Sequence, residues 1–308
     1  MKKILFLLAT AGSILLYGAC EKSETGSGTL NLSITDAPID SAGVTGVYIA
    51  INRIEYHSAA EGWVDLDTFA TPLSFNLLEL TRGTAELLGS YELPTGTYSQ
   101  IRFHLDQPNQ DQGVVANPGC YLEWADGSTQ PLFVPSGAQS GYKAVGAFHI
   151  PVNGTVDLTA DFDVRKSVVV AGNSGKLILK PTIRLVANNQ AGSISGTVSG
   201  YDTDATTVVY AYEAGTFTEE EAADPAEEQA RFPNAISSDV VDEEGYYHLA
   251  YLAPGSYDLV VVGANENGVS VLSIEEQVGV ESRQNTNYDI VLGVEVEVEI
   301  EAGTATEE

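Results

Sequence analysis

Alternating apolar and polar positions recur along most of the chain and predict β-strands. Residues 29–35 alternate cleanly, with leucine and isoleucine on one face, and the series ends at Asp36-Ala37-Pro38. In the segment 47–56 the apolar series slips by one position near Asn52-Arg53, which predicts a β-bulge. Helical periodicity is almost absent, and Gly and Pro turns are frequent. The pattern therefore predicts an all-β fold of two tandem β-sandwich domains.

A change in charge marks the expected domain boundary. Residues 187–308 hold 25 Asp and Glu but only two cations, Arg231 and Arg283. The change falls near the turn-forming stretch 188–192. We therefore expect a first sandwich over residues 28–187, a second over 191–292 and an acidic tail over 293–308.

One short helix is expected inside the second domain. Thr218 to Glu221 fits a capping box, and Asp224-Pro225 followed by Glu227 supplies an N-cap, an N1 proline and an acidic first turn. Its polarity on all sides predicts an exposed acidic insertion between strands. A lid and a solvated loop helix are both open at this point.

The N-terminus has the pattern of a processing signal. Lys2 and Lys3 precede an apolar stretch, and Gly18-Ala19 supplies small residues before Cys20. The apolar stretch, about thirteen residues, is too short to cross a membrane. Residues 15–20 resemble a lipobox, although Tyr17 stands where Leu is usual; the alternative is an ordinary signal peptide with an incidental cysteine. We expect a signal peptide over residues 1–19, lipidation at Cys20 and a tether over 20–27.

The anchor predicts a location. The resemblance to a lipobox implies a lipoprotein that its lipid holds in the outer membrane of a Gram-negative bacterium. The protein would face the periplasm or the cell surface. The acidic start of the tether, Glu21 to Glu24, resembles export signals for the surface. Apart from Cys20, Cys120 is the sole thiol, so an intramolecular disulfide is not expected after lipidation.

Net charge limits the partners. Without Lys2 and Lys3 the chain keeps 12 cations against 43 acids. Nucleic acid is excluded because neutralising phosphates requires many Lys and Arg. Adaptation to salty surroundings and binding of divalent cations both account for such a charge, and the sequence leaves both open.

Three carboxylates form the candidate metal site. Asp157, Asp161 and Asp163 share one face of a predicted strand and could ligate Ca²⁺ through oxygen. Five cations lie in the next twenty-one residues, so cross-strand ion pairs are the competing interpretation. These cations are Arg165, Lys166, Lys176, Lys180 and Arg184.

Trp63 is the candidate ligand-binding residue. It shares its face with Glu61 and Asp65, and an exposed ring there could stack on a glycan; a partly buried rim tryptophan is the alternative. Trp124 shares its face with Leu122 and is expected in the core. The four histidines are scattered, and no nucleophile elbow or phosphate loop occurs in the sequence. No catalytic residues are therefore predicted.

Several motifs lie in order along the first domain: Thr35-Asp36-Ala37-Pro38, Leu93-Pro94, Gln100-Ile101-Arg102, Asp161-Phe162-Asp163 and Leu179-Lys180-Pro181. Taken in this order, they resemble the bacterial family known as domain of unknown function 4382. The resemblance spans about residues 27–187 and implies a lipoprotein ectodomain without an assigned activity.

The second domain contains the motifs Ile194-Ser195-Gly196-Thr197-Val198 and Pro254-Gly255-Ser256-Tyr257. With these motifs, residues 191–292 resemble a carboxypeptidase-regulatory-like domain, a transthyretin-like sandwich grouped with carbohydrate-binding-like folds. The resemblance implies an accessory module. Taken together, the sequence predicts a non-catalytic, lipid-anchored envelope protein with a structural or binding role, toward a glycan or a protein. The alternative is a surface-anchored hydrolase or a Ca²⁺-dependent enzyme.

Overall fold

The computed structural model describes residues 26–37, 43–106, 119–134, 141–171, 176–225, 229–265 and 268–293. The expected signal peptide, Cys20 and most of the acidic tail lie outside these ranges. Strands make up most of the described chain, which confirms the all-β prediction. None of the helices in the described ranges is long and apolar enough to cross a membrane.

The strands up to residue 187 form what we call the first strand group. They are β1 (Ser27–Ala37), β2 (Val44–Ser58), β3 (Gly62–Asn76), β4 (Glu86–Pro94), β5 (Gly96–Leu105), β6 (Tyr121–Trp124), β7 (Thr129–Pro131), β8 (Tyr142–Ile150), β9 (Thr155–Asp163), β10 (Val168–Ala171), β11 (Lys176–Leu179) and β12 (Ile183–Ala187). A single α-helical turn, α1 (Val164–Ser167), links β9 to β10.

Ten of these strands form one sheet. Its order is β4-β1-β9-β12-β8-β5-β2-β6-β7, and β3 also pairs with β2, while β10 and β11 form a separate hairpin. One continuous cluster of buried apolar side chains lines the sheet, including Leu30, Leu32 and Ile34. Side chains from outside the sheet, such as Leu77, Val134 and Leu179, complete the cluster. The register of β2 shifts between Ile51 and Arg53, where the bulge was predicted.

The remaining strands form the second strand group. They are β13 (Gly192–Ser199), β14 (Thr206–Glu213), β15 (Ser237–Val240), β16 (Tyr246–Leu252), β17 (Gly255–Asn265), β18 (Gly268–Val280), β19 (Asn285–Asn287) and β20 (Ile290–Val291). One sheet has the order β16-β13-β19 with β20 also beside β13, and the other has the order β15-β14-β17-β18. A buried apolar core lies between the two sheets.

The insertion between β14 and β15 differs from the expected helix where it is described, and Glu227 lies outside the described residues. Glu219–Ala222 forms a 3₁₀ turn without buried residues, and the Thr218 side chain does not cap it. Glu221 instead accepts a hydrogen bond from the Tyr212 hydroxyl at 3.1 Å. Further along, Phe232 is fully buried and packs on Tyr210 in a third apolar cluster. The insertion therefore covers the outer face of the β15-β14-β17-β18 sheet, and its apolar side chains are buried against that face.

Candidate functional site

The three predicted metal ligands lie on β9 but have separate partners. Asp157 is exposed and accepts a hydrogen bond from the Asn31 amide at 2.8 Å. Asp161 and Asp163 are buried, with 4% and 7% of their surface exposed. Among the described residues, no three Asp, Glu, His or Cys side chains form a group that could hold a metal ion.

Asp161 pairs with a cation on the neighbouring strand. Arg184 stands opposite Asp161 in the β9–β12 register, and its Nε lies 2.7 Å from the carboxylate. Burial raises the pKa of Asp161, and the nearby guanidinium opposes that shift. Arg184 also donates from Nη1 to the carbonyl of Tyr251, in the second strand group, at 2.9 Å. The ion pair, which the competing interpretation predicts, therefore also joins the two strand groups.

Asp163 holds two further cations. Its side chain accepts a hydrogen bond from the Lys166 backbone N–H, which caps α1, and lies 3.0 Å from Arg165 Nη2 and 3.3 Å from Lys166 Nζ. Arg165 donates to carbonyls of the insertion, including those of Phe232 and Ala235. Burial lowers the pKa of Lys166, while Asp163 opposes that shift. The turn after β9 thus presents cations to the second strand group.

A fourth cation comes from the loop between β3 and β4. Arg82 donates to Asp239 at 3.0 Å, to Asp242 at 2.7 Å and to the Val240 carbonyl at 2.6 Å. In the opposite direction, His248 Nδ1 donates to the Arg82 carbonyl at 2.9 Å. Burial raises the pKa of Asp239 to about 6, and the His248 backbone N–H and Arg82 oppose this rise.

We call this set of contacts the seam. It comprises the cations Arg82, Arg165, Lys166 and Arg184 with their carboxylate and carbonyl partners in both strand groups. Sequence reasoning noted the cations after residue 164 but assigned them to pairs within one sheet. It missed Arg82, which is an isolated cation in a Gly- and Thr-rich loop.

Trp63 lies outside the seam, on the outer face of the first sheet. It is half-buried, and the Arg102 guanidinium carbon lies 3.6 Å from its ring centroid. One ring face is therefore covered by a cation–π contact, which a stacking sugar would have to displace or avoid. That Trp63 binds a ligand stays a prediction.

A buried acid and base lie close to Trp63. His104 Nε2 and Glu55 Oε2 are 2.6 Å apart, and both residues are buried. Burial alone would raise the pKa of Glu55, but the hydrogen bond from His104 and the charges of Arg53 and Arg102 lower it overall. A carboxylate with a lowered pKa is a poor general base at neutral pH, so this pair is suited to holding the outer face of the sheet together.

Comparisons with known proteins give one family. Residues 27–181 match the family described as domain of unknown function (DUF4382). No curated protein sequence matches the chain significantly.

Solved structures give similarities at low identity. The Bacillus anthracis TIE protein is 12% identical over 87% of this chain, with a TM-score of 0.20, and the match spans only 34% of that protein's length. GBS52, the minor pilin of Streptococcus agalactiae, is 12% identical over 87% of this chain and 95% of its own, with a TM-score of 0.21. The shaft pilin spaA from Lactobacillus rhamnosus GG is 10% identical over 87% of this chain and 97% of its own, with a TM-score of 0.23. Such TM-scores carry no functional argument. The family match covers half of the sequence, and the chain therefore belongs to the DUF4382 family.

Proposed function

We propose that the protein is a non-catalytic structural or binding component of the bacterial cell envelope. In this proposal Cys20 carries a lipid in the outer membrane of a Gram-negative bacterium, and the two strand groups act as one rigid body on the periplasmic or cell-surface side. The acidic second group lies further along the chain from the anchor and meets the surroundings.

The seam is the observation that supports a rigid body. Arg82, Arg165 and Arg184 each bind acceptors in the second strand group, and strands or tight turns fix most of those acceptors. Hydrogen bonds from a planar guanidinium are directional, so three of them at separate points define one relative orientation. A hinge between the groups would have to break all three contacts together.

The same contacts favour a structural role over an enzymatic one. Catalytic acids are often carboxyl groups with strongly raised pKa values in a cleft. Among the described residues, the acids with raised pKa values are Asp161 and Asp239, which lie in the seam and pair with Arg184 and Arg82. Their perturbed pKa values are therefore accounted for by burial between strand groups.

Differential scanning calorimetry tests this proposal. A rigid ectodomain should unfold in one cooperative transition, since neither group can leave the seam without exposing the other's buried charges. The seam double variant, Arg82→Ala with Arg184→Ala, should unfold in two transitions. The control is Arg283→Ala, because Arg283 is exposed and, like Arg82, has a positive φ, so both changes carry the same backbone strain. Two transitions in the unmodified protein would refute the proposal.

A further inference from the structure

A cleft opens at one end of the second strand group. Its volume is about 340 Å³, which is within the range of small-molecule sites. The residues that matter for its chemistry are Tyr201, Asp202, Thr207, Gly263, Ser270 and Leu292.

The floor of the cleft is a row across three strands. Gly263 pairs with Thr207 of β14 on one side and with Ser270 of β18 on the other. Residues opposite each other in antiparallel strands point to the same face, so the row places two hydroxyls on one face of the sheet. The Leu272 side chain lies beside Gly263, between these hydroxyls, and adds apolar surface to the cleft. An added Cβ at Gly263 would lie 3.2 Å from Leu272.

Thr207 supplies an independent observation. Only 3% of its surface is exposed, and its Oγ1 is buried without a hydrogen-bond partner among the described residues. A buried hydroxyl without a partner is costly, and such groups in native proteins call for an explanation. Because Thr207 lines the cleft, a hydrogen-bonding ligand there would supply the missing partner.

The walls combine apolar and acidic surface. Tyr201 and Leu292 contribute a ring and an aliphatic side chain, and the Tyr201 hydroxyl is held by the Asp242 carbonyl at 3.2 Å. Asp202 is exposed at the rim, and its Oδ1 accepts the Asp204 backbone N–H at 3.0 Å. Hydroxyls, a carboxylate acceptor and an aromatic ring together suit a ligand with many hydroxyls and one apolar face.

Charge selects among such ligands. The described residues that line the cleft include Asp202 but no Lys or Arg. Residues 187–308 carry 25 acids and two cations, so the surrounding field repels anions. We infer that the cleft binds a neutral sugar ring, such as the end of a neutral glycan. The inference goes beyond the proposed function, because it needs neither the lipid anchor nor the seam.

Saturation-transfer NMR on the intact ectodomain tests the inference. The probes are the methyl glycosides of glucose, galactose, mannose and N-acetylglucosamine, with methyl glucuronide as the anionic comparison. We expect at least one neutral glycoside to bind and the glucuronide to bind at least about tenfold more weakly. Binding of none of the four, or equal binding of the glucuronide, would overturn the inference.

Variants locate the site. Thr207→Val removes the hydroxyl without changing the shape of the side chain and should weaken binding at least about tenfold, as 1.4 kcal/mol does. Ser270→Ala, at an exposed position, should also weaken binding and serves if Thr207→Val fails to fold. The control is Thr206→Val, which is exposed on the opposite face of β14 and should leave binding unchanged. Unchanged binding in both cleft variants would place the sugar elsewhere and overturn the inference.

Discussion

Arg82→Ala should lower the free energy of unfolding more than the replacement of an exposed arginine by alanine does. Arg82→Ala deletes the contacts to Asp239, Asp242 and the Val240 carbonyl. The Asp242 side chain is 27% exposed and can be rehydrated, whereas that of Asp239 is only 3% exposed. The main consequence is therefore a buried carboxylate without its cation.

The expected magnitude follows from that burial. Breaking a buried ion pair by removing one partner costs about 3–5 kcal/mol, because the remaining charge is left uncompensated. Asp239 still accepts the His248 backbone N–H at 2.8 Å, which places the expected loss near the lower value, about 3 kcal/mol at neutral pH. Arg283→Ala should cost about 0–1 kcal/mol, as exposed contacts do.

The pH dependence has a definite sign. The folded-state pKa of Asp239 is raised from 3.8 to about 6, so the folded protein binds more protons than the unfolded chain between these values. The stability due to Asp239 is therefore fully present below pH 3.8 and is lost as pH rises through about 6, by about 3 kcal/mol in total. Asp239→Asn should flatten this part of the profile. The cost of Arg82→Ala should be larger at pH 8 than at pH 5, because only the ionised carboxylate needs the cation.

A double-mutant cycle provides the measurement. The free energy of unfolding in urea is determined for the unmodified protein, Arg82→Ala, Asp239→Asn and the double variant. We expect a coupling free energy of about 2 kcal/mol at pH 7, within the range for residues in direct contact. The reasoning would be refuted if Arg82→Ala cost no more than Arg283→Ala and showed the same loss at both pH values.

Three further predictions concern the insertion, the anchor and calcium. Phe232→Ala should lower the free energy of unfolding by about 3–5 kcal/mol, because Phe232 is fully buried on Tyr210; a loss under about 1 kcal/mol in urea titration would contradict the packing. Cys20→Ala should abolish incorporation of labelled fatty acid in cells, and continued labelling would disprove lipidation at that residue. Millimolar Ca²⁺ should leave the melting temperature unchanged, because Asp161 and Asp163 already hold cations of the chain; a rise that a chelator reverses would restore the metal site.

The strands could be predicted from sequence where one face is buried and the other is exposed to solvent. Residues 29–35 and 47–56 alternate because their apolar sides enter one core, and even the bulge near Arg53 left a phase slip. β4 (Glu86–Pro94) shows no clear alternation, since it lies at the edge of the sheet and has few buried residues. For the acids of β9 the sequence left ion pairing and Ca²⁺ binding both open, because cations follow closely along the chain.

The seam could not be predicted because its partners are far apart in the chain. Arg82 and Asp239 are separated by 157 residues, and neither belongs to a local motif. Asp161 and Asp163 are buried because the second strand group covers this end of β9, which would otherwise be exposed to solvent. The same holds for the insertion, where Phe232 looks like an isolated aromatic in a polar segment until the sheet beneath it is known.

Double electron–electron resonance between the two strand groups tests the central claim most directly. Nitroxides would be placed by Ser99→Cys and Ser256→Cys, which are both exposed, in a Cys20→Ala background. Cys120 can stay, because it is buried and burial raises its pKa to about 11, so the thiol remains protonated and unlabelled.

A rigid seam predicts one narrow distance distribution in this labelled protein. The seam double variant should broaden that distribution, while Arg283→Ala should not. A broad or multi-peaked distribution before the seam is altered would show that the two strand groups move independently, and it would contradict the account.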